Sequence, residues 1–75
     1  KLEQYDNAII NYNKAIKLKP DYAEVYNSLG IVLIEKKEFK LSEVNFNKAI
    51  KLKPNYTEVY NNLGFLYLKL KKYMI

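Results

Sequence analysis

The sequence predicts an all-α fold of four antiparallel helices. Three observations support this prediction: a long segment that occurs twice, apolar residues at helical spacing within each copy, and a proline at two of the three expected breaks between helices. The chain has 75 residues, enough for one small domain at most. A core of that size is normally marginal, and no disulfide supports it because the chain has no cysteine.

The recurring segment covers residues 11–30 and again 45–64. The two copies are identical at 16 of 20 positions, so one structural unit occurs twice. Unrelated segments do not match at that level. The four pairs that differ are Tyr12/Phe46, Asp21/Asn55, Ala23/Thr57 and Ser28/Asn62.

Each repeat, of which the recurring segment is a part, holds two helical patterns. In the first, Val25, Leu29 and Leu33 recur at the spacing of one helix face, and the second follows the same rule from Leu41 to Leu52. Linkers of about three residues make neighbouring helices antiparallel. We expect helices at about 4–18, 22–36, 40–52 and 56–71.

Helix starts and ends carry their own signals. A proline ends the first and the third pattern, and lysines precede it where positive charge favours the helix dipole. The spacings Asp21-x-x-Glu24 and Asn55-x-x-Glu58 predict capping boxes at the starts of the second and fourth helices.

The composition argues against chemistry on this chain. Without histidine or cysteine, it has no imidazole base, no thiol nucleophile and none of the metal sites that use these residues. Glu24 and Glu58 are explained as capping residues rather than as an acid/base pair. We therefore predict no catalytic residue, no cofactor and no metal ligand, and a function in binding.

The sequence also lacks a segment that would direct it to a membrane. No apolar run approaches the roughly 20 residues of a membrane helix, and none at the start suits a signal peptide. We therefore expect no membrane partner and an intracellular, cytoplasmic location.

One motif combines aromatic, leucine-glycine, small and proline positions in a fixed order. The residues that carry it are Ala8, Tyr12, Pro20, Tyr26, Leu29, Gly30, Ser42, Phe46, Ala49, Pro54, Tyr60, Leu63, Gly64 and Tyr67. The pattern resembles the tetratricopeptide repeat (TPR) over the whole chain. The resemblance implies a right-handed α-solenoid of helix-turn-helix repeats with a period of about 34 residues.

Three residues depart from the family pattern. Leu33 stands where an aromatic residue is usual, and Ser42 where alanine is usual. Lys37 stands at the turn where the family often has glycine. If that turn needs a left-handed backbone, lysine costs roughly 1–2 kcal/mol there.

The phase of the repeat predicts an excerpt of a longer TPR array. Residues 1–22 resemble the second helix of an incomplete repeat, 23–56 a complete repeat, and 57–75 the first helix of another. Apolar residues at both ends then lack a partner helix and favour self-association, either end to end or by helix exchange. They are Tyr5, Ile9, Ile10, Tyr12, Ile16, Leu66, Tyr67, Leu70, Tyr73 and Ile75.

The resemblance also implies a concave groove lined by the first helix of each repeat. Asparagine amides there could bond a peptide backbone while apolar neighbours hold its side chains. We therefore expect a non-catalytic protein–protein interaction module that binds a peptide or a partner helix. The expected groove residues are Asn27, Ser28, Ile31, Ile34, Asn61, Asn62, Phe65 and Leu68.

Alternative functions remain open at this point. The segment could be a spacer within a longer solenoid, or a scaffold appended to an enzyme such as an O-linked N-acetylglucosamine transferase, whose asparagine ladder is similar to the run from Tyr60 to Gly64. The family's carboxylate clamp is not expected, because Asn27, Ile31 and Glu58 replace its lysine, asparagine and lysine.

Nucleic acid is not an expected partner, despite a net charge of +5. The chain has no arginine, and its lysines cluster at helix ends. Glutamates on the expected groove would repel phosphate.

Overall fold

The computed structural model describes residues 2–73 and contains four α-helices within them. They are α1 (Leu2–Leu18), α2 (Ala23–Glu35), α3 (Phe39–Leu52) and α4 (Thr57–Tyr73). No strand occurs in that part of the chain. The predicted all-α solenoid fold is confirmed, and each helix begins and ends within two residues of its predicted position.

The helices form a slab of 40 × 32 × 15 Å. Its most extensive contact joins α2 to α3, while α1 packs on α2 and α3 on α4. A narrow seam joins α2 to α4, and α1 touches neither α3 nor α4 among the described residues. Each helix therefore packs mainly on its neighbours along the chain, as expected of a repeat architecture.

The core lies between α2, α3 and α4. Phe46, Ala49, Val59 and Leu66 are completely buried there. The expectation that Leu66 belongs to an open end is wrong, because that side of α4 faces the core.

By contrast, α1 buries no residue completely. Ile75 and the side chain of Tyr73, also expected at the open end, lie outside the described part.

A glycine brings α2 and α3 into close contact. A β-carbon on Gly30 would come within 2.3 Å of Cε1 of the Phe46 ring, so no larger residue fits without a shift. The Ser42 hydroxyl donates a hydrogen bond of 2.7 Å to the Gly30 carbonyl. Ser42 is completely buried, and this bond satisfies its hydroxyl where the family usually has alanine.

Two matching turns join α1 to α2 and α3 to α4. In each, a tyrosine amide donates to a lysine carbonyl three residues earlier: Tyr22 to Lys19 at 3.2 Å and Tyr56 to Lys53 at 3.1 Å. Tyr22 is the N-cap of α2, and no side chain caps the helix. The capping box predicted at Asp21 is wrong, because Asp21 lies inside the turn, one residue too early to cap.

Tyrosine hydroxyls connect these turns to the helices that follow. Tyr26 donates to the Pro20 carbonyl at 3.2 Å, and Tyr60 donates to the Pro54 carbonyl at 2.9 Å. Asn55 likewise lies one residue too early to cap its helix, because α4 begins at Thr57, two residues after it. Both turns are thus held from the helix side by a tyrosine at the same repeat position.

A left-handed residue ends α2. Lys37 has φ 64°, which confirms that this turn needs the conformation that glycine adopts most easily. Its amide bonds the Ile34 carbonyl at 2.9 Å, and the Glu38 amide bonds the Leu33 carbonyl at 2.8 Å. These two bonds form a Schellman motif, which satisfies the last carbonyls of the helix.

Candidate functional site

The eight expected groove residues fall into two structural classes on α2 and α4. One class lies at the seam between the helices. Asn27 is 4% exposed and Ile34 is 7% exposed, and Ile34 belongs to the core cluster that includes Leu63 and Leu66 of α4. The structure therefore uses these two side chains to hold the helices together.

An amide pair connects the seam. The side-chain nitrogen of Asn62 donates to the side-chain oxygen of Asn27 at 2.8 Å. Burial raises the pKa of the nearby Tyr56 hydroxyl, and the carboxylates of Glu58 and Glu24 raise it further, whereas the Asn27 side chain lowers it. Asn27 is thus held across the seam by Asn62 of α4.

The second class remains accessible. Ile31 is 40% exposed and Phe65 is 49% exposed. Ser28 and Asn62 are partly buried beside them, and the Ser28 hydroxyl bonds the Glu24 carbonyl of its own helix at 3.1 Å. These four residues, which we call the groove surface, occupy two pairs of equivalent positions in the two copies of the repeat.

Asn61 and Leu68 complete the set on α4. They are the repeat equivalents of Asn27 and Ile34, but both are exposed, Leu68 at 69%. Equivalent positions of the two copies therefore differ in burial. The difference follows from packing, because α4 lies against Asn27 and Ile34, whereas no helix of the described chain lies against Asn61 and Leu68.

A small cavity of about 110 Å³ adjoins the groove surface. It is lined by Ile34, Glu35, Lys37, Phe39, Phe65 and Lys69. The Lys69 ammonium lies 5.2 Å from the centre of the Phe65 ring, so a charge and an aromatic face meet at its edge. Sequence reasoning missed Lys37 and Phe39, since they come from the α2–α3 turn and from the start of α3 rather than from either groove helix.

A wider hollow of about 390 Å³ lies nearby. Its lining residues come from the α2–α3 turn, the start of α3 and the end of α4: Lys37, Glu38, Phe39, Lys40, Leu41 and Leu70. The sequence did not predict it, because its two walls are far apart along the chain and only the packing of α4 on α3 brings them together.

Metal-binding and membrane-spanning elements are both missing from the described part of the chain. No group of acidic residues there is arranged to hold a metal ion. None of its helices combines the length and the apolar character needed to cross a bilayer.

Comparison with protein families identifies a repeat family. A family model described as TPR repeat matches residues 1–37 and 32–71. A search among curated proteins gives no match. The two matched segments together span nearly all of the chain.

Proposed function

The chain belongs to the tetratricopeptide repeat family, and from this membership we propose that its groove surface binds a peptide or a partner helix. Repeats of this family are generally protein–protein interaction modules and are typically non-catalytic. The finer part of the proposal, the site itself, depends on residues of α2 and α4.

The observation that carries the proposal is an exposed aromatic ring beside a cavity. Phe65 is 49% exposed and lines the cavity together with Ile34 and Phe39. Ile31, its repeat equivalent on α2, is also exposed. A partner that inserts an apolar side chain here would remove apolar area from water at about 25 cal/mol per Å².

Charges around the cavity suggest what the rest of the ligand contains. Glu35 and Lys69 lie on its wall, so carboxylate and ammonium groups are both available to polar neighbours of the anchor. The Asn62 amide is already engaged with Asn27, and its role is to fix the spacing of the helices. The ligand that fits best is a segment with one apolar anchor flanked by polar residues.

Peptide display provides the test. The unmodified chain is used to select peptides from a random library, and enriched peptides are measured for binding to this chain and to two serine variants. Phe65→Ser should weaken binding by at least about tenfold, equivalent to about 1.4 kcal/mol, because the aromatic wall of the cavity is lost. Val44→Ser is the matched control, since Val44 is exposed at 62% but lies on α3.

Chemical-shift changes on adding an enriched peptide then locate the site. Changes centred on Ile31 and Phe65 support the proposal. Changes centred on the lysines at helix ends would contradict it, as would equal losses in the two serine variants. A library that yields no peptide would favour a purely structural role for this surface.

A further inference from the structure

One face of α4 consists of the same repeat positions as a face of α2. On α2 this face is covered by α3, whereas on α4 it is exposed. On α2, Gly30 is buried under Phe46 and Leu33 is 5% exposed, because α3 packs there. On α4, Gly64 is exposed, with no neighbouring heavy atom within 4 Å of the position that a β-carbon would take, and Tyr67 is 48% exposed. The two faces have nearly the same sequence and opposite burial.

The helix that matches this face is α1. Residues of α3 that pack on α2 include Ser42, Phe46 and Ala49, all completely buried. Their repeat equivalents on α1 are Ala8, Tyr12 and Ala15, which are all only partly buried. The chain therefore carries at one end a second copy of the helix face that its other end leaves uncovered.

We propose that this chain binds a second copy of itself head to tail. In this contact α1 of one copy lies on α4 of the next as α3 lies on α2, with the Tyr12 ring over Gly64. The α2 of the incoming copy then lies along α4 as α4 lies along α2, and it covers Asn61 and Leu68. The contact is independent of the groove surface, which stays open in the assembly.

The charges at the helix ends agree with the antiparallel packing that this contact requires. The first turn of α1 carries Glu3, and it would lie beside the last turn of α4, which carries Lys71 and Lys72. At the opposite end, Lys17 in the last turn of α1 would lie near Glu58 in the first turn of α4. Opposite charges therefore meet at both ends, and salt should weaken the contact.

The two contacting faces differ, so the interface is heterologous. A copy that uses its α1 still offers its α4, and the assembly grows without closing at two chains unless the rotation forms a ring. A symmetric pairing of two α4 faces would instead stop at a dimer.

Gly64→Arg is the decisive variant. Because the space around Gly64 is open, the arginine should leave the fold intact, and circular dichroism checks this. In the head-to-tail contact, the arginine of one copy would collide with Tyr12 of the other copy. Weight-average mass, measured by sedimentation velocity over a range of concentrations, should rise steadily for the unmodified chain and stay at that of one chain for Gly64→Arg. Val44→Arg, an exposed apolar position on α3, should associate as the unmodified chain does.

A mixing experiment tests the polarity of the contact. The Gly64→Arg chain keeps its α1 and can bind the α4 of an unmodified chain, but it offers no α4 in return. Adding it should therefore shorten the assemblies, and a fluorescent label on it should sediment with them. Ala8→Ser, which recreates the Ser42 hydroxyl, should strengthen association by about threefold or more, as a new hydrogen bond does.

Three results would overturn the proposal. The first is an unmodified chain that stays monomeric at every concentration. The second is association that Gly64→Arg leaves unchanged. The third is a dimer that does not grow and does not take up labelled Gly64→Arg, since this indicates a symmetric α4 contact.

Discussion

Asn62 on α4 donates its side-chain amide to the side-chain oxygen of Asn27 on α2 at 2.8 Å. Asn27 is 4% exposed, so this bond satisfies a polar group that water does not reach. The pair lies where the two helices that form the groove surface meet. It sets the spacing between those helices together with the apolar packing of Ile34 against α4.

Asn62→Ala should lower the free energy of unfolding by about 1–3 kcal/mol, because the Asn27 oxygen loses its donor while it stays buried. Urea unfolding followed by circular dichroism measures the change. Asn61→Ala is the control: Asn61 is adjacent and exposed, and its replacement should change the free energy by less than about 0.5 kcal/mol. Equal effects of the two substitutions would show that the hydrogen bond between Asn62 and Asn27 adds nothing measurable to the free energy of unfolding.

Replacing each glycine by alanine should have opposite effects. Gly30→Ala forces the buried Phe46 ring to move and should destabilise the fold by about 1–3 kcal/mol. Gly64→Ala meets no neighbour within the chain and should stabilise it by about 0.5–1 kcal/mol, because alanine is the better helix former. Thermal unfolding at a low protein concentration, where chains do not associate, separates the two. A loss of stability in both variants would mean that the space above Gly64 is not open.

Lys37→Gly should raise the free energy of unfolding by about 1 kcal/mol, since Lys37 has φ 64° and glycine adopts that conformation without strain. Lys37→Ala removes the same side chain but keeps the β-carbon, so it should give no comparable gain. Denaturant titration of the two variants against the unmodified chain makes the comparison. Stabilisation by both substitutions would place the cause in the lysine side chain rather than in the backbone.

Stability should fall at high pH. Tyr67 donates to the Glu43 carboxylate at 2.9 Å, which raises the pKa of its hydroxyl, and hydrogen bonds to Asp6 and then Glu38 raise the pKa of the Lys36 ammonium. A raised pKa in the folded state means that the stabilisation is complete below the unfolded value, about 10, and is lost as the pH rises through the folded value. Unfolding measured from about pH 8 to pH 12 should show this decline.

Tyr67→Phe tests the tyrosine part of that decline. It removes the ionising hydroxyl, so the variant should lose less stability than the unmodified chain over the same pH range. The effect should be modest, because Tyr67 is about half exposed and solvent screens its interaction with Glu43. A decline of the same steepness in both proteins would assign it to the other groups whose pKa is raised, Lys36 and Tyr56.

Much of the fold could be predicted from the sequence because its determinants are local or repeated. Helical spacing predicted the four helices, and the family motif marked Lys37 as a position where glycine is frequent, which its left-handed backbone explains. The predicted capping boxes were wrong, because residue spacing alone does not show how the turn before the helix is closed. The Tyr22–Lys19 hydrogen bond closes a turn around Pro20 and Asp21, and this turn shifts the start of α2 by one residue.

The site was harder to predict, because identical residue types in the two copies meet different surroundings. Asn27 and Asn61 share one position of the repeat, yet only Asn27 has a helix against it. Helix periodicity places Asn27 and Asn61 on equivalent stripes of α2 and α4. It does not show which of the two stripes is covered by a neighbouring helix. The contribution of Phe39 to the cavity depends on the path of the α2–α3 turn, which brings it next to Phe65.

The way α1 is attached has a consequence for the order in which the molecule opens. Among the described residues, α1 packs on α2 and on no other helix, and it buries none of its own residues completely, so we expect it to detach while the core between α2, α3 and α4 stays intact. Native-state hydrogen exchange should therefore divide the chain into two cooperative units, with the amides of α1 exchanging through a partial opening and those around Phe46 only through global unfolding.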